Sequence, residues 1–79
     1  MAGEEGDFTT AVTFFEQALA AARAQGDRYY EAERLYCLGQ ALRHLGNERA
    51  ARCCLNEALT VARQVNDETT ESKVLLTAT

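Results

Sequence analysis

The stretch Ala58-Leu59-Thr60-Val61-Ala62-Arg63-Gln64-Val65-Asn66-Asp67 repeats Ala18-Leu19-Ala20-Ala21-Ala22-Arg23-Ala24-Gln25-Gly26-Asp27 at an offset of 40 residues. Both copies carry Ala-Leu, then Ala-Arg, then an aspartate behind a turn-forming Gly or Asn. The same offset holds outward from this stretch. Gly6-Asp7 recurs as Gly46-Asn47, Ala11 as Ala51, Glu31 as Glu71 and Leu35 as Leu75. Laying residues 6–39 over 46–79 gives 9 identities in 34 positions. A fixed period of this length marks a stacked repeat architecture, in which each unit covers its neighbour's apolar face. Such an array supplies a surface for another protein.

The composition agrees with a small helical domain. The 79 residues include no proline and are 47% hydrophobic. They are rich in alanine, leucine, glutamate, glutamine and arginine, side chains that lose little rotamer freedom in a helix. No stretch alternates apolar and polar residues as a half-buried strand does. The net charge of -4 leaves no electrostatic footprint for nucleic acid or for an anionic membrane. No apolar run reaches the roughly 18 residues of a membrane span. The acidic start Met1-Ala2-Gly3-Glu4-Glu5-Gly6 is unlike a signal peptide. Three cysteines, an odd number, point to a reducing compartment, and the cytoplasm is the expected location.

Periodicity and caps divide the chain into four helices, at 7–25, 28–45, 48–65 and 68–79. In the first, Phe8, Ala11, Val12, Phe15, Ala18, Leu19 and Ala22 recur at spacings of three and four, with Asp7 as N-cap and Gly26 as C-terminal stop. The second carries Ala32, Leu35, Leu38, Gly39, Ala41, Leu42 and Leu45, and ends at Gly46-Asn47. A glycine inside a helix costs about 1 kcal/mol against alanine, so Gly39 implies close approach of a neighbouring helix. The third carries Ala51, Cys54, Leu55, Ala58, Leu59, Ala62 and Val65, and stops at Asn66-Asp67. The fourth carries Val74, Leu75 and Ala78. Turns of about two residues force neighbouring helices antiparallel. Of Tyr29 and Tyr30, one is expected to be buried and the other exposed.

This spacing resembles the tetratricopeptide repeat. Leu35, Leu38-Gly39 and Leu42 match its first helix, Gly46 its turn, and Ala51, Leu55 and Ala58 its second helix. Gly6, Ala11, Phe15 and Ala18 match in the preceding unit. The resemblance implies an all-α antiparallel α-solenoid and covers nearly the whole chain. The usual unit has 34 residues and ends in proline; here the period is 40 without proline, and the extra length is expected in each second helix and its exit. The longer form resembles the repeats of kinesin light chains and of G-protein-signalling modulator scaffolds, and similar units occur in bacterial regulators with helical-repeat sensor domains. Read in phase, residues 1–79 form a single domain with one complete repeat, 28–66, between two half repeats. The missing first helix before Gly6 suggests a piece of a longer array, or a chain whose repeats are completed by something else.

In this family the first helices line a concave groove. By position, Glu33, Tyr36, Cys37, Gln40, Arg43 and His44 face it, with Lys73, Leu76 and Thr77 from the last helix. These are the expected partner-binding residues, for a peptide or a partner helix. Members that clamp a C-terminal carboxylate do so with Lys and Asn, where this chain has Glu33 and Cys37. Phe8, Phe14 and Phe15 form an aromatic cluster that one neighbouring helix cannot cover, because Phe14 and Phe15 point about 100° apart. They are the expected self-association residues, giving a possible homo-oligomer.

Neither catalysis nor metal binding is indicated. Cys53 and Cys54 are adjacent on a helix and no C-x-x-C occurs, so Cys37, Cys53, Cys54 and His44 lack metal-ligand spacing. Cys54 is on the apolar stripe and reads as a core residue. His44, the lone histidine, has no orienting group in sight and suits a helix C-terminus. The expected function is therefore a non-enzymatic protein-interaction module without cofactor. The alternatives are a self-association element and a sensor segment of a signalling or transcriptional regulator.

Overall fold

The computed structural model describes the backbone of residues 3–78 and the side chains of residues 8–77. Four helices follow in order: α1 (Gly3–Gln25), α2 (Arg28–His44), α3 (Glu48–Gln64) and α4 (Glu68–Ala78). Each packs on the next, and α2 also touches α4, so α2 has neighbours on three sides. No helix is long and apolar enough to cross a membrane among the described residues.

The three turns share one construction. Gly26, Gly46 and Asn66 take positive φ values of 71°, 84° and 59°. After each, the next amide reaches back five residues to a carbonyl: Asp27 to Ala22 at 2.9 Å, Asn47 to Leu42 at 2.9 Å and Asp67 to Ala62 at 2.8 Å. This Schellman closure satisfies carbonyls that a helix end would leave orphaned. The same three residues then cap the following helix. Asp27 accepts from the Tyr30 amide, Asn47 from the Ala50 amide and Asp67 from the Thr70 amide. One residue thus ends one helix and starts the next, which keeps the turns short and the helices antiparallel.

Two boundary expectations are corrected. First, α1 is already helical at Gly3, so Asp7 lies inside it and does not cap it, and Gly6 makes no turn. Glutamates favour helix and no proline intervenes, so nothing in the backbone stops the helix there. Second, the extra length of the repeat is not confined to second helices. α2 and α3 have 17 residues each, and a three-residue turn after each completes the 40-residue period. Both helices run until a positive-φ residue stops them. Thr79, the expected end of the fourth helix, lies outside the described residues.

The core gathers Leu19, Ala32, Leu35, Leu38, Leu55, Ala58, Val61, Ala62 and Val74, with Ala22, Ala41 and Ala51 buried beside them. Alanines at the crossings let the helices approach closely. Gly39 is the tightest point: a Cβ there would meet Leu55 Cγ and Cδ2 at 2.8 Å and the Ala51 carbonyl at 3.3 Å. The glycine is required by α3, as its cost in mid-helix implies.

Ion pairs account for two of the repeated residues. Arg23 Nε meets Glu31 at 3.1 Å, and forty residues on Arg63 Nε meets Glu71 at 3.0 Å. Each pair ties the last turn of one helix to the first turn of the next, with the basic residue at a C-terminus and the acid near an N-terminus, as the helix dipoles favour. Glu31 is buried and also pairs with Arg28 at 3.2 Å, so its burial is compensated.

Both tyrosines after Asp27 are exposed, contrary to the expected split. Tyr29 donates from its hydroxyl to the Val65 carbonyl at 2.8 Å, closing the end of α3, and Tyr30 lies under the Arg34 guanidinium. Each ring has a polar partner at the surface, so neither is drawn into the core.

Candidate functional site

The site is built by the crossing of α1 and α2. The stripe of α1 that meets α2 buries Leu19 and Ala22 towards its C-terminal end. Towards its N-terminal end Phe8, Ala11 and Phe15 are only partly covered. From α2, Tyr36, Cys37, Gln40, Ala41 and His44 face the same gap. Together these eight residues enclose a shallow cavity of about 230 Å³ with almost wholly apolar walls. A volume below the roughly 300–1,000 Å³ of small-molecule sites suits a few inserted side chains better than a cofactor.

The walls are held in place by ring contacts. Phe8 stacks on His44 with centroids 4.6 Å apart and planes 13° from parallel. Phe15 is met edge-on by Phe14 at 5.6 Å. The Arg34 guanidinium lies 4.6 Å from the Tyr30 ring centre and 5.7 Å from that of Phe15. Gln40 Nε2 donates to the Tyr36 hydroxyl at 2.8 Å, so the polar edge of the cavity is satisfied from within α2.

The two residue sets read from the sequence as separate sites meet here. Tyr36, Cys37, Gln40 and His44 from the expected groove, and Phe8 and Phe15 from the aromatic cluster, line the one cavity. The others stand apart. Glu33 is exposed and pairs with Arg34 at 3.0 Å. Arg43 donates to the Thr77 carbonyl at 3.1 Å and so joins α2 to the end of α4. Lys73 reaches from α4 over the Tyr36 ring at 5.9 Å. Phe14 is 57% exposed and does not line the cavity, and Leu76 is 79% exposed on α4.

Arg34 is the residue that reading by position overlooked. Its Nε is buried without an acceptor. Burial works against its cation, the hydrogen bond it donates to Glu33 works for it, and the pKa lies above the ordinary arginine value. A signal was present: forty residues on, the position holds Val74, a core residue. A charge where the repeat calls for an apolar side chain marks a place where the two units are covered differently.

The cysteines differ in chemistry. Burial pushes the Cys37 thiol up, with Arg34 opposing, and burial followed by Glu57 pushes the Cys54 thiol up. Cys53 is exposed. Because the thiolate is the reactive form, a maleimide at neutral pH is expected to label Cys53 first. Labelling of Cys37 and Cys54 should then gain on it as pH rises, as followed by peptide mass spectrometry. Faster labelling of Cys37 than of Cys53 at neutral pH would contradict this ordering. Among the described residues no group of three His, Cys, Asp or Glu side chains could hold a metal ion.

Comparison with known proteins agrees with this geometry at the level of family. The family model described as tetratricopeptide repeat matches residues 1–64. Comparison with curated proteins returned no match, and comparison with solved structures returned none. With antiparallel helix pairs, the Leu38-Gly39 contact on α3 and a family match across most of its length, the chain belongs to the tetratricopeptide repeat family.

Proposed function

We propose that this chain is a non-enzymatic interaction module that seats an amphipathic partner helix in the groove between α1 and α2. The observation that carries the reading is the apolar cavity walled by Phe8, Phe15, Tyr36, Cys37 and His44. Its walls are set by a packed hairpin, so the ordering cost of binding falls on the partner. The charged residues Glu33, Arg43 and Lys73, outside the cavity, then select among partners by charge. The 40-residue unit, like those it resembles in kinesin light chains and signalling scaffolds, fits a cytoplasmic scaffold role.

The test is protection of Cys37. A synthetic peptide of residues 28–45, the repeat's own first-helix sequence, should slow maleimide labelling of Cys37 and leave Cys53 unaffected. It should also shift the amide resonances of Phe8, Phe15 and His44. Shifts confined to the exposed face of α3 around Arg49 and Asn56, with Cys37 unprotected, would overturn the reading.

A further inference from the structure

The cavity between α1 and α2 has a counterpart forty residues on. A second cavity, of about 140 Å³, is lined by Glu48, Ala51, Leu55 and Thr77, the repeat equivalents of Phe8, Ala11, Phe15 and Cys37. There α2 covers the wall. Ala51 and Leu55 are 1% and 5% exposed, Gly39 rests on both, and Arg43 reaches across to Thr77. On α1 the equivalent residues Ala11 and Phe15 are only partly buried, and Phe8 is 37% exposed. Among the described residues no helix stands to α1 as α2 stands to α3.

The molecule also carries the matching piece. α4 is the repeat equivalent of α2, and Leu75 holds the position of Leu35. Leu35 is 1% exposed and packed in the core, whereas Leu75 is 45% exposed and the next residue, Leu76, is 79% exposed. One end of the fold therefore shows a seat for an α2-like helix, and the other end shows an α2-like helix that buries Val74 and leaves Leu75 and Leu76 exposed.

We infer that a second copy of this chain supplies the occupant, its α4 lying on α1 and α2 of the first copy as α2 lies on α3 and α4. This rests on the reading of the groove as a helix seat. In that register Leu75 of the added copy enters beside Phe15 and Ala18, as Leu35 does beside Leu55 and Ala58. Arg34 takes the place of Val74 there, its cation covered by the Tyr30 and Phe15 rings. The two surfaces are different, so the contact is head-to-tail and does not close on itself.

Sedimentation velocity on the 79-residue protein, from micromolar to millimolar concentration, tests this. The sedimentation coefficient should rise with concentration without a plateau at the dimer. Leu75→Glu and Phe15→Glu should each abolish the rise, while Phe14→Ser leaves it. Mixing Leu75→Glu with Phe15→Glu should restore one 1:1 complex, because each variant keeps the half the other has lost. Circular dichroism checks that both variants are folded, and Leu75→Glu, at a more exposed site, carries the test if Phe15→Glu unfolds. A monomer at every concentration, a closed dimer, or loss of association on Phe14→Ser but not on Leu75→Glu would overturn the inference. If the protein stays monomeric while the 28–45 peptide still protects Cys37, the second copy alone is wrong. If the peptide fails too, the groove reading falls with it.

Discussion

Replacing Leu35 by alanine is expected to lower stability by about 3 kcal/mol, within the range for emptying a buried leucine site. The same replacement at Leu75 should cost less than about 1 kcal/mol, as at other positions half open to solvent. The two residues are one position of the repeat, and only their surroundings differ. Leu35 is 1% exposed among Leu38, Leu55 and Ala58, and Leu75 is 45% exposed on α4. For a domain of this size the difference amounts to roughly 15 °C in Tm for Leu35→Ala, against a few degrees for Leu75→Ala. Thermal unfolding followed by circular dichroism at low protein concentration gives both values. Equal losses would mean that α4 is packed as α2 is, and would remove the asymmetry on which head-to-tail association depends.

Gly39→Ala is expected to destabilise the fold even though alanine is the better helix former. The gain in helix propensity is about 1 kcal/mol. Against it stands an added Cβ that would lie 2.8 Å from both Leu55 Cγ and Cδ2, with the Ala51 carbonyl at 3.3 Å. Cγ is the branch point of the leucine, not its free tip, so relief requires α2 and α3 to part or Leu55 to leave its rotamer. Overpacking of this kind costs about 1–3 kcal/mol, which outweighs the propensity gain in most of that range. Gly39→Val, with two further methyls and a poorer helix former, should cost more. The diagnostic measurement is the double-mutant cycle with Leu55→Ala. In that background Gly39→Ala should become neutral or stabilising, since the clash is gone and the propensity gain remains. Unchanged destabilisation in the Leu55→Ala background would show that the contact is not the reason for the glycine.

Both predictions rest on the repeat register, and the register also explains how much could be read without coordinates. Helix ends were legible wherever one residue had a single physical role. Gly26, Gly46 and Asn66 adopt positive φ, and Asp27, Asn47 and Asp67 are caps. The core stripe of α3 was legible because three-and-four spacing leaves little choice, and Ala51, Leu55, Ala58 and Ala62 are all buried as expected. Arg23, Arg63, Glu31 and Glu71 were visible as repeated identities, yet their reason was not. An ion pair between residues eight apart across a turn depends on the angle between two helices, which periodicity does not encode.

What the chain by itself determined is the local conformation of the three turns between helices, the four helices apart from the start of α1, and the apolar stripe of α3. These follow from interactions within a few residues: caps, backbone strain, side-chain spacing. What only the tertiary structure decided is which apolar faces find each other. Phe8 and Phe15 share a cavity with Tyr36, Cys37 and His44 at the crossing of α1 and α2. Arg34 lies on aromatic rings where Val74 is in the core, and Leu75 is in solvent where Leu35 is covered. Equivalent residues meet different fates because burial depends on the neighbour that stacks on each unit, and that neighbour is a matter of position in the array, beyond the reach of local sequence.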